Sequence, residues 1–345
     1  MELFLSNYQP AKFASKTFKD FFEKSLSEAE MVRIASGYIS TASLTELKKI
    51  VQDNARPKVE LLIGMHYFEG FTKTQYQAAI GLSNFLTSSG LGSVYVSTAF
   101  KFHGKLYSFL KEKSAYAAVV GSSNMGSLFD QTERLYEADL LIDEVKLAGQ
   151  IDSVITKLQG SISENISKIK IEKFKEFNPL LDNHDRVEKT EKETLENIFE
   201  SKSKIQFEIP IKADEAPKSS LNVFFGKGRE NQRGFILPRP WYEVELIVPS
   251  EITQKKSYPA NKEFEVYTDD GWHFRCKTSG DYSKNFRSQD DLKILGKWIK
   301  GRLEQSGALT VGEPVTDNVL KKYGRSSFSL IGTSNPNVWL LNFKV

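Results

Sequence analysis

Two short motifs carry most of the chemistry that this sequence could perform. His103-Gly104-Lys105 places an imidazole and an ammonium group two residues apart, and such residues share one face of an extended strand. Gly121-Ser122-Ser123-Asn124 follows an apolar, β-rich run at 115–120 and is therefore expected at the end of another strand. An imidazole can attack phosphorus or move protons, while ammonium, hydroxyl and amide groups hold anionic oxygens. Together the motifs predict a phosphate-transfer site.

The two motifs resemble those of the phospholipase D superfamily, His-x-Lys followed by Gly-Ser-x-Asn. The resemblance implies that His103 forms a covalent phosphohistidine without a metal or other cofactor. It also implies that Lys105, Ser122 and Asn124 bind the phosphate oxygens, and that Glu137, at the start of the apolar run 137–142, orients the histidine. One position departs from the family pattern. Leu110 stands where the family often has an aspartate, which concerns the support of the site more than the transfer chemistry.

The chain carries this motif once. Its other histidines, His66, His184 and His273, each lack a lysine two residues later, and we assign them no chemistry. The two-step reaction needs two histidines, because one attacks phosphorus while the other protonates the leaving oxygen and later activates water. A single motif therefore predicts a homodimer, formed through the N-terminal domain, with one composite site on its two-fold axis.

Composition predicts two domains of different character. A chain of 345 residues with 40% hydrophobic and 26% charged residues can bury two cores. Residues 1–200 hold 24 Lys+Arg against 27 Asp+Glu, whereas residues 201–345 hold 23 against 17 and all four tryptophans. We expect a phospholipase D-like domain at 1–175, a charged linker at 176–200 and a basic, polyanion-binding domain at 201–345. The single cysteine, and the lack of a secretory signal or an apolar run long enough to cross a membrane, favour a cytoplasmic protein.

Periodicity predicts an α/β layer with a mixed sheet in the first domain. Expected elements include a helix at 18–26, a strand at 32–39 and a helix opened by a capping box at 43–46. From 144 to about 199 the pattern is helical and highly charged. After 205 it changes to short strands, among them 221–225, 241–248 and a hairpin around Asp269-Asp270-Gly271, with one helix near 290–303. This second part is typical of a small β-barrel.

Two loops in the basic part have the composition of DNA readers. Each mixes cations, which contact phosphates, with amide or guanidinium groups, which pair with base edges in the major groove. The candidate DNA-binding residues are Arg229, Asn231, Gln232 and Arg233 in the first loop, and Lys277, Ser283, Lys284, Asn285 and Arg287 in the second.

The whole chain resembles restriction endonucleases. Its first part is similar to the catalytic domain of metal-independent enzymes such as BfiI. Its second part, including residues 233–244 and 286–303, is similar to NgoFVII-type enzymes with a B3-like DNA-binding pseudobarrel, whose two arms would be the loops above. The resemblance implies a site-specific endonuclease acting on double-stranded DNA. Some relatives act with an ATP-dependent helicase-like subunit; no P-loop occurs here, so such a motor would be a separate chain.

Three other functions compete with this interpretation. A metal-dependent nuclease could use Asp130 and the Glu144-Val145-Lys146 segment as a magnesium site. A DNA-binding regulator could carry the histidine motif without activity, because of Leu110. Transfer of a lipid headgroup is disfavoured, since the sequence shows neither a membrane-binding helix nor a second motif. Cleavage of plasmid DNA in EDTA distinguishes the metal-independent enzyme from a metal-dependent nuclease. Any turnover at all excludes the inactive regulator.

Overall fold

The structure is a computed structural model that describes residues 1–130, 133–176, 180–213 and 221–345. It divides into two compact units: unit 1 comprises Met1–Phe177 with Arg229–Pro238, and unit 2 comprises Asn178–Gly228 with Arg239–Val345. The predicted linker at 176–200 includes residues 177–179, which lie outside the described residues. Within the described ranges, no helix has the length and apolar character needed to span a bilayer.

Unit 1 is built on a mixed eight-stranded sheet, which confirms the predicted α/β domain. Its strands, in the spatial order β1-β7-β6-β5-β2-β3-β4-β8, are β1 (Glu2–Leu5), β2 (Met31–Ser36), β3 (Lys58–Ile63), β4 (Gly92–Ser97), β5 (Lys105–Lys111), β6 (Ser114–Gly121), β7 (Ala138–Ile142) and β8 (Ser163–Asn165). The β2–β3 and β3–β4 pairs are parallel, and the other neighbours are antiparallel. Parallel pairs need crossover connections, which the helices at Thr41–Asn54 and Lys73–Ser88 supply.

The helices of unit 1 are α1 (Phe18–Glu28), α2 (Thr41–Asn54), α3 (His66–Glu69), α4 (Lys73–Ser88), α5 (Met125–Phe129) and α6 (Val145–Ser161). The predicted start of α2 was wrong. Its capping box is formed by Ser40 and Ser43, whose hydroxyls each accept a hydrogen bond from the other's backbone N–H, so the helix begins before Ser43. Of the helical pattern predicted from 144 to about 199, residues 145–161 and 192–200 are helical, whereas residues 163–165 form β8, which hydrogen bonds to β4.

The remaining strands are β9 (Glu188–Lys189), β10 (Lys202–Pro210), β11 (Arg229–Glu230), β12 (Ile236–Leu237), β13 (Leu246–Ile247), β14 (Glu263–Thr268), β15 (Trp272–Ser279), β16 (Asn285–Ser288), β17 (Ser327–Thr333) and β18 (Val338–Asn342). Strands β11 and β12 pair with each other and belong to unit 1. Unit 2 is strand-rich: its main sheet runs β10-β17-β18-β14-β15-β16-β13 and curls into a half-barrel, as expected for a B3-like domain.

The helices of unit 2 are α7 (Lys192–Glu200), α8 (Ser250–Thr253), α9 (Lys293–Gln305) and α10 (Asp317–Tyr323). Of the predicted strands at 221–225 and 241–248, the first is a 3-10 turn and the second is reduced to β13. Tertiary contacts explain the second difference. Trp241 and Tyr242 are buried and donate hydrogen bonds to the carboxylate of Glu304 on α9, so they pack against the helix instead of extending the sheet.

Candidate active site

Four segments of unit 1 meet at one edge of the sheet, which we call the active-site edge. Ser36, the last residue of β2, is paired in register with Lys105, the first residue of β5. Gly121, the last residue of β6, is paired with Asp139 near the start of β7. The ends of β2 and β6 therefore lie beside the starts of β5 and β7, and the loops that carry both sequence motifs converge there.

His103 lies just before β5, not within it as the sequence pattern predicted. Its exposed side chain is held by contacts on two sides. The Nζ of Lys105 donates to the backbone oxygen of His103 at 2.7 Å and lies 3.3 Å from each ring nitrogen. The ring of Tyr38 meets the imidazole edge-on, with centroids 5.6 Å apart. Lys105 is buried, which lowers its pKa, and the nearby charge of Glu137 acts in the opposite direction.

Asn124 is fixed by β2 and the residues that follow it. Its Oδ1 accepts a hydrogen bond from the backbone N–H of Tyr38 at 3.0 Å and a longer one from the hydroxyl of Ser36 at 3.5 Å. The hydrogen bonds that the structure gives this side chain thus engage its oxygen. The amide Nδ2 is the group with which Asn124 can bind a phosphate oxygen.

Ser122 and Glu137 form a hydrogen-bonded pair beside the two basic side chains. The Ser122 hydroxyl donates to the carboxylate of Glu137 and accepts the backbone N–H of Ala138 at 2.9 Å. Glu137 was expected to orient His103, and in the structure its carboxylate accepts a hydrogen bond from the Ser122 hydroxyl. The structure thus brings His103, Lys105, Ser122, Asn124 and Glu137 to one edge.

Asp139 is a supporting residue that the sequence analysis missed. Its carboxylate accepts the backbone N–H of Ser123 at 3.0 Å and the Ser123 hydroxyl at 2.5 Å. Both residues are buried, and burial raises the pKa of Asp139 while the bonds from Ser123 lower it. Gly121 is required here, since a Cβ at this position would lie 2.1 Å from the Asp139 Oδ1. The signal was available: Asp139 is a charged residue inside an otherwise apolar strand.

Leu110 does not disturb this site. It lies at the opposite end of β5, paired with Met31, where it is 3% exposed and packs with Ala115, Ala118 and Ala148. Five residues of strand separate it from Lys105, about 16 Å. The buried carboxylate that supports the motif loop is instead supplied by Asp139.

His66 lies behind the site and is structural. It is buried, accepts the backbone N–H of Ile39 on Nε2 at 3.3 Å, and has Nδ1 3.4 Å from the oxygen of Gly70. Its ring meets that of Tyr38 edge-on at 5.7 Å. Burial lowers the pKa of His66 to about 4, so the ring is neutral near pH 7 and holds the segment that carries Tyr38.

The second predicted DNA-reading loop is part of the β15–β16 hairpin, residues 272–288, which we call the second hairpin. Lys277 is paired in register with Arg287, and Ser279 with Asn285. Because directly opposed residues share a sheet face, Lys277, Asn285 and Arg287 form one partly exposed polar surface, the outer face of the hairpin. Lys284 is 3.9 Å from Asp281, whereas Ser283 is 3% exposed. The structure thus gathers three of the five predicted residues on one face.

The first predicted loop is a different kind of hairpin. Residues 229–238, the first hairpin, belong to unit 1, where both the N–H and the oxygen of Ile236 bond to the side chain of Asn54 at 2.8 Å. Phe235 is buried. Arg233 pairs with Glu28 at 2.8 Å.

The turn residue Asn231 accepts the N–H groups of Arg233 and Phe235. Arg229 and Gln232 are exposed.

The described residues contain no cluster of three or more His, Cys, Asp or Glu side chains that could hold a metal ion.

Comparison with family models decides the family. Residues 16–171 match the N-terminal phospholipase D domain of the NgoFVII restriction endonuclease, and residues 197–334 match the NgoFVII C-terminal B3-like DNA-binding domain. The chain belongs to the NgoFVII family of restriction endonucleases. It is therefore a DNA-cleaving restriction enzyme with a nuclease domain and a DNA-binding domain.

Solved structures similar to this NgoFVII-family chain include NucT from Helicobacter pylori, with a TM-score of 0.33 and 16% identity over 47% of this chain and 96% of that one. Another is the phospholipase D family member Nuc from Salmonella typhimurium, with a TM-score of 0.32 and 13% identity over 48% of this chain and 95% of that one. A search of curated proteins found no match.

Proposed function

We propose that this NgoFVII-family chain hydrolyses double-stranded DNA near a short specific sequence, without a metal ion, through a phosphohistidine intermediate. The observation that carries the proposal is the convergence of His103, Lys105, Ser122 and Asn124 at one sheet edge, with Lys105 Nζ 3.3 Å from the imidazole nitrogens. A nucleophile beside a fixed cation and hydrogen-bond donors is the arrangement that phosphoryl transfer requires.

In the first step a ring nitrogen of His103 attacks phosphorus and the bond to one ester oxygen breaks. The leaving oxygen takes a proton from a second imidazolium. Water then attacks the phosphohistidine and passes a proton to that second imidazole, which restores both histidines. Lys105 and the Nδ2 of Asn124 bind the non-bridging oxygens, and Ser122 joins them when its single hydroxyl proton turns from Glu137 to the substrate.

The second histidine is that of a second copy of the chain. Exposed apolar side chains support a homodimer: Leu135, Tyr136 and Leu140, on either side of Glu137 in sequence, are 54%, 45% and 39% exposed. Leu3 on β1 is 56% exposed and is paired in register with Leu140 on β7. Leu3 and Leu140 are therefore two exposed leucines side by side, and exposed apolar surface of this kind marks sites of protein–protein contact.

Substrate reading is assigned to the B3-like domain. The outer face of the second hairpin supplies Lys277, Asn285 and Arg287, and the exposed Arg229 and Gln232 of the first hairpin are further candidates. Arginine and asparagine pair bidentately with guanine and adenine edges, and lysine supplies phosphate contact. The two hairpins, which both lie within the segment 197–334 that matches the B3-like domain, would thus set the specificity.

The test of the chemistry is plasmid cleavage in EDTA by the wild type and by His103→Ala. We expect the wild type to cleave the plasmid and His103→Ala not to cleave it. The two proteins should bind DNA with the same affinity. His273→Ala is the matched control, because His273 lies on β15 and bonds to Glu265 at 2.9 Å. Strict dependence on magnesium, or full activity of His103→Ala, contradicts the mechanism. Dependence on ATP and an added protein would show that a separate helicase-like subunit takes part.

The test of the dimer is sedimentation of the intact chain. Leu140→Glu should give a monomer that binds DNA and does not cleave it. Val154→Glu, at a position 46% exposed on α6, is the control and should remain dimeric and active. A strictly monomeric wild type that cleaves DNA contradicts the shared site.

A further inference from the structure

Unit 2 contains a cavity of about 290 Å³ that takes no part in the proposed mechanism. It lies between the end of β17, the start of β18 and the loop before β14, and its lining includes Tyr258, Lys262, Ser334, Asn335 and Trp339. The volume is at the lower limit of typical small-molecule sites, which suits one planar heterocycle rather than a larger ligand.

The chemistry of the lining is that of a base-binding site. Tyr258 and Trp339 are 6% and 4% exposed and offer aromatic surface, while Lys262 is exposed and can meet a phosphate. Ser334 and Asn335, which also line the cavity, are exposed. Their hydroxyl and amide groups can hydrogen bond to the edge of a bound base.

The cavity is joined to the second hairpin by direct hydrogen bonds. The Tyr258 hydroxyl donates to the backbone oxygen of Ser283 at 3.4 Å. The Thr278 N–H donates to the oxygen of Lys262 at 3.0 Å, and its hydroxyl donates to the oxygen of Pro259. The same residues that wall the cavity therefore hold the backbone of the hairpin whose outer face carries Lys277, Asn285 and Arg287.

We propose that this cavity binds one nucleobase with its attached phosphate beside Lys262, supplied either by an extrahelical base of the bound DNA or by a free nucleotide. The inference rests on the proposed reading of DNA by unit 2 and adds a subsite to it. Aromatic walls and hydrogen bonds to a base edge are the means by which proteins hold an extruded base. Extrusion costs pairing and stacking energy, and the cost is least where the base is already mismatched.

This cost gives the experiment its signature. Intact His103→Ala protein is titrated with the recognition duplex, mapped beforehand by wild-type cleavage, carrying a single mismatch at each position in turn. Mismatches at base pairs that are read in the groove should weaken binding roughly 5- to 150-fold. A mismatch opposite an extruded base should instead strengthen binding, on the order of tenfold, because the pairing cost is removed.

Two cavity variants in the same background test the location. Asn335→Asp removes the amide donor and keeps the Oδ1 that accepts the Asn337 N–H, while Lys262→Ala changes an exposed side chain and leaves the core intact. Both should abolish the strengthening. Lys256→Ala, an exposed lysine on the same loop that does not line the cavity, should keep it. The melting temperature of each variant confirms that it folds.

A second arm tests the free-nucleotide source by saturation-transfer NMR of the intact protein with the four deoxynucleoside monophosphates. Signals lost in Lys262→Ala support a free nucleotide as the ligand. The inference is overturned if no mismatch strengthens binding and no nucleotide gives a signal, or if either effect survives in both cavity variants. Loss of preference for the recognition duplex in His103→Ala itself would instead reject the proposed function.

Discussion

The active-site edge of unit 1 and the outer face of the second hairpin both collect polar side chains, but they hold them in different ways. At the edge, Lys105, Ser123 and Asp139 are buried and hydrogen bonded. On the outer face, Lys277 and Arg287 are partly exposed, and Arg287 is 3.7 Å from its nearest acidic partner, Glu245.

This difference fits the role proposed for each region. Chemistry gains from groups that are fixed before the substrate arrives, because they cost no reorganisation in the transition state. Reading a DNA sequence requires side chains that exchange water and weak protein contacts for base edges. Substitutions at the edge should therefore impair turnover or stability, and those on the outer face should impair binding.

The largest effect is expected from Asp139→Ala. The Ser123 N–H and hydroxyl would lose their acceptor, at about 1–3 kcal/mol for a buried unsatisfied group, and the loop with Ser122 and Asn124 would shift. Small misplacement of catalytic groups costs on the order of a hundredfold in rate. Single-turnover cleavage should fall accordingly while DNA affinity stays constant. Asp143→Ala is the control, because Asp143 directly follows β7 and its side chain is exposed. A fall in DNA affinity with unchanged turnover would reverse the comparison.

The second prediction concerns pH. The pKa of His66 is about 4 in the folded protein against 6.5 when unperturbed, so the unfolded chain binds the extra proton. The contribution of His66 to the free energy of unfolding is therefore complete above pH 6.5. It is lost as the pH falls from 6.5 towards 4, by up to about 3 kcal/mol. Hydrogen exchange of unit 1 peptides should show this loss in the wild type and not in His66→Gln. His273→Gln, in the second hairpin, should lose protection in unit 1 at low pH as the wild type does. If His273→Gln abolishes this loss as His66→Gln does, the effect does not come from His66.

On the outer face, Arg287→Ala should weaken specific binding by about 1–3 kcal/mol and relax specificity at one base pair. Lys277→Ala should weaken all sequences alike and reduce the salt dependence of binding by about one ion. Equilibrium titrations at several salt concentrations separate the two. Lys204→Ala, an exposed lysine on β10, is the control. Loss of single-turnover cleavage at saturating DNA in either variant would place these residues in the chemistry instead.

The smallest effect is expected in the first hairpin. Arg233 is 62% exposed and pairs with Glu28, so Arg233→Ala should change stability by less than about 1 kcal/mol. It should also weaken DNA binding less than Arg229→Ala, since Arg229 is exposed and Arg233 is engaged by unit 1. Parallel titrations of the two variants measure the difference. If Arg233→Ala has the larger effect on binding, Arg233 leaves Glu28 and contacts the DNA in the complex.

Local patterns predicted the elements that carry the site. The apolar runs at 115–120 and 137–142 predicted β6 and β7, and Asp269-Asp270-Gly271 predicted the turn, in which Gly271 has a φ of 86°. The sequence could not show which polar residues meet. Asn124 and the N–H of Tyr38 are 86 residues apart, and Ser123 is fixed by Asp139 across two strands.

The sequence by itself determined the histidine motif proposed for catalysis, the two-part organisation and the family, because each depends on residue types at short spacing or on composition. Only the tertiary structure decided that two hairpins of similar composition differ. The first has its Asn231, Arg233 and Phe235 engaged within unit 1, whereas the second presents Lys277, Asn285 and Arg287 along one face. A side chain's availability depends on the partners that folding brings to it from distant parts of the chain, and no local pattern records those partners.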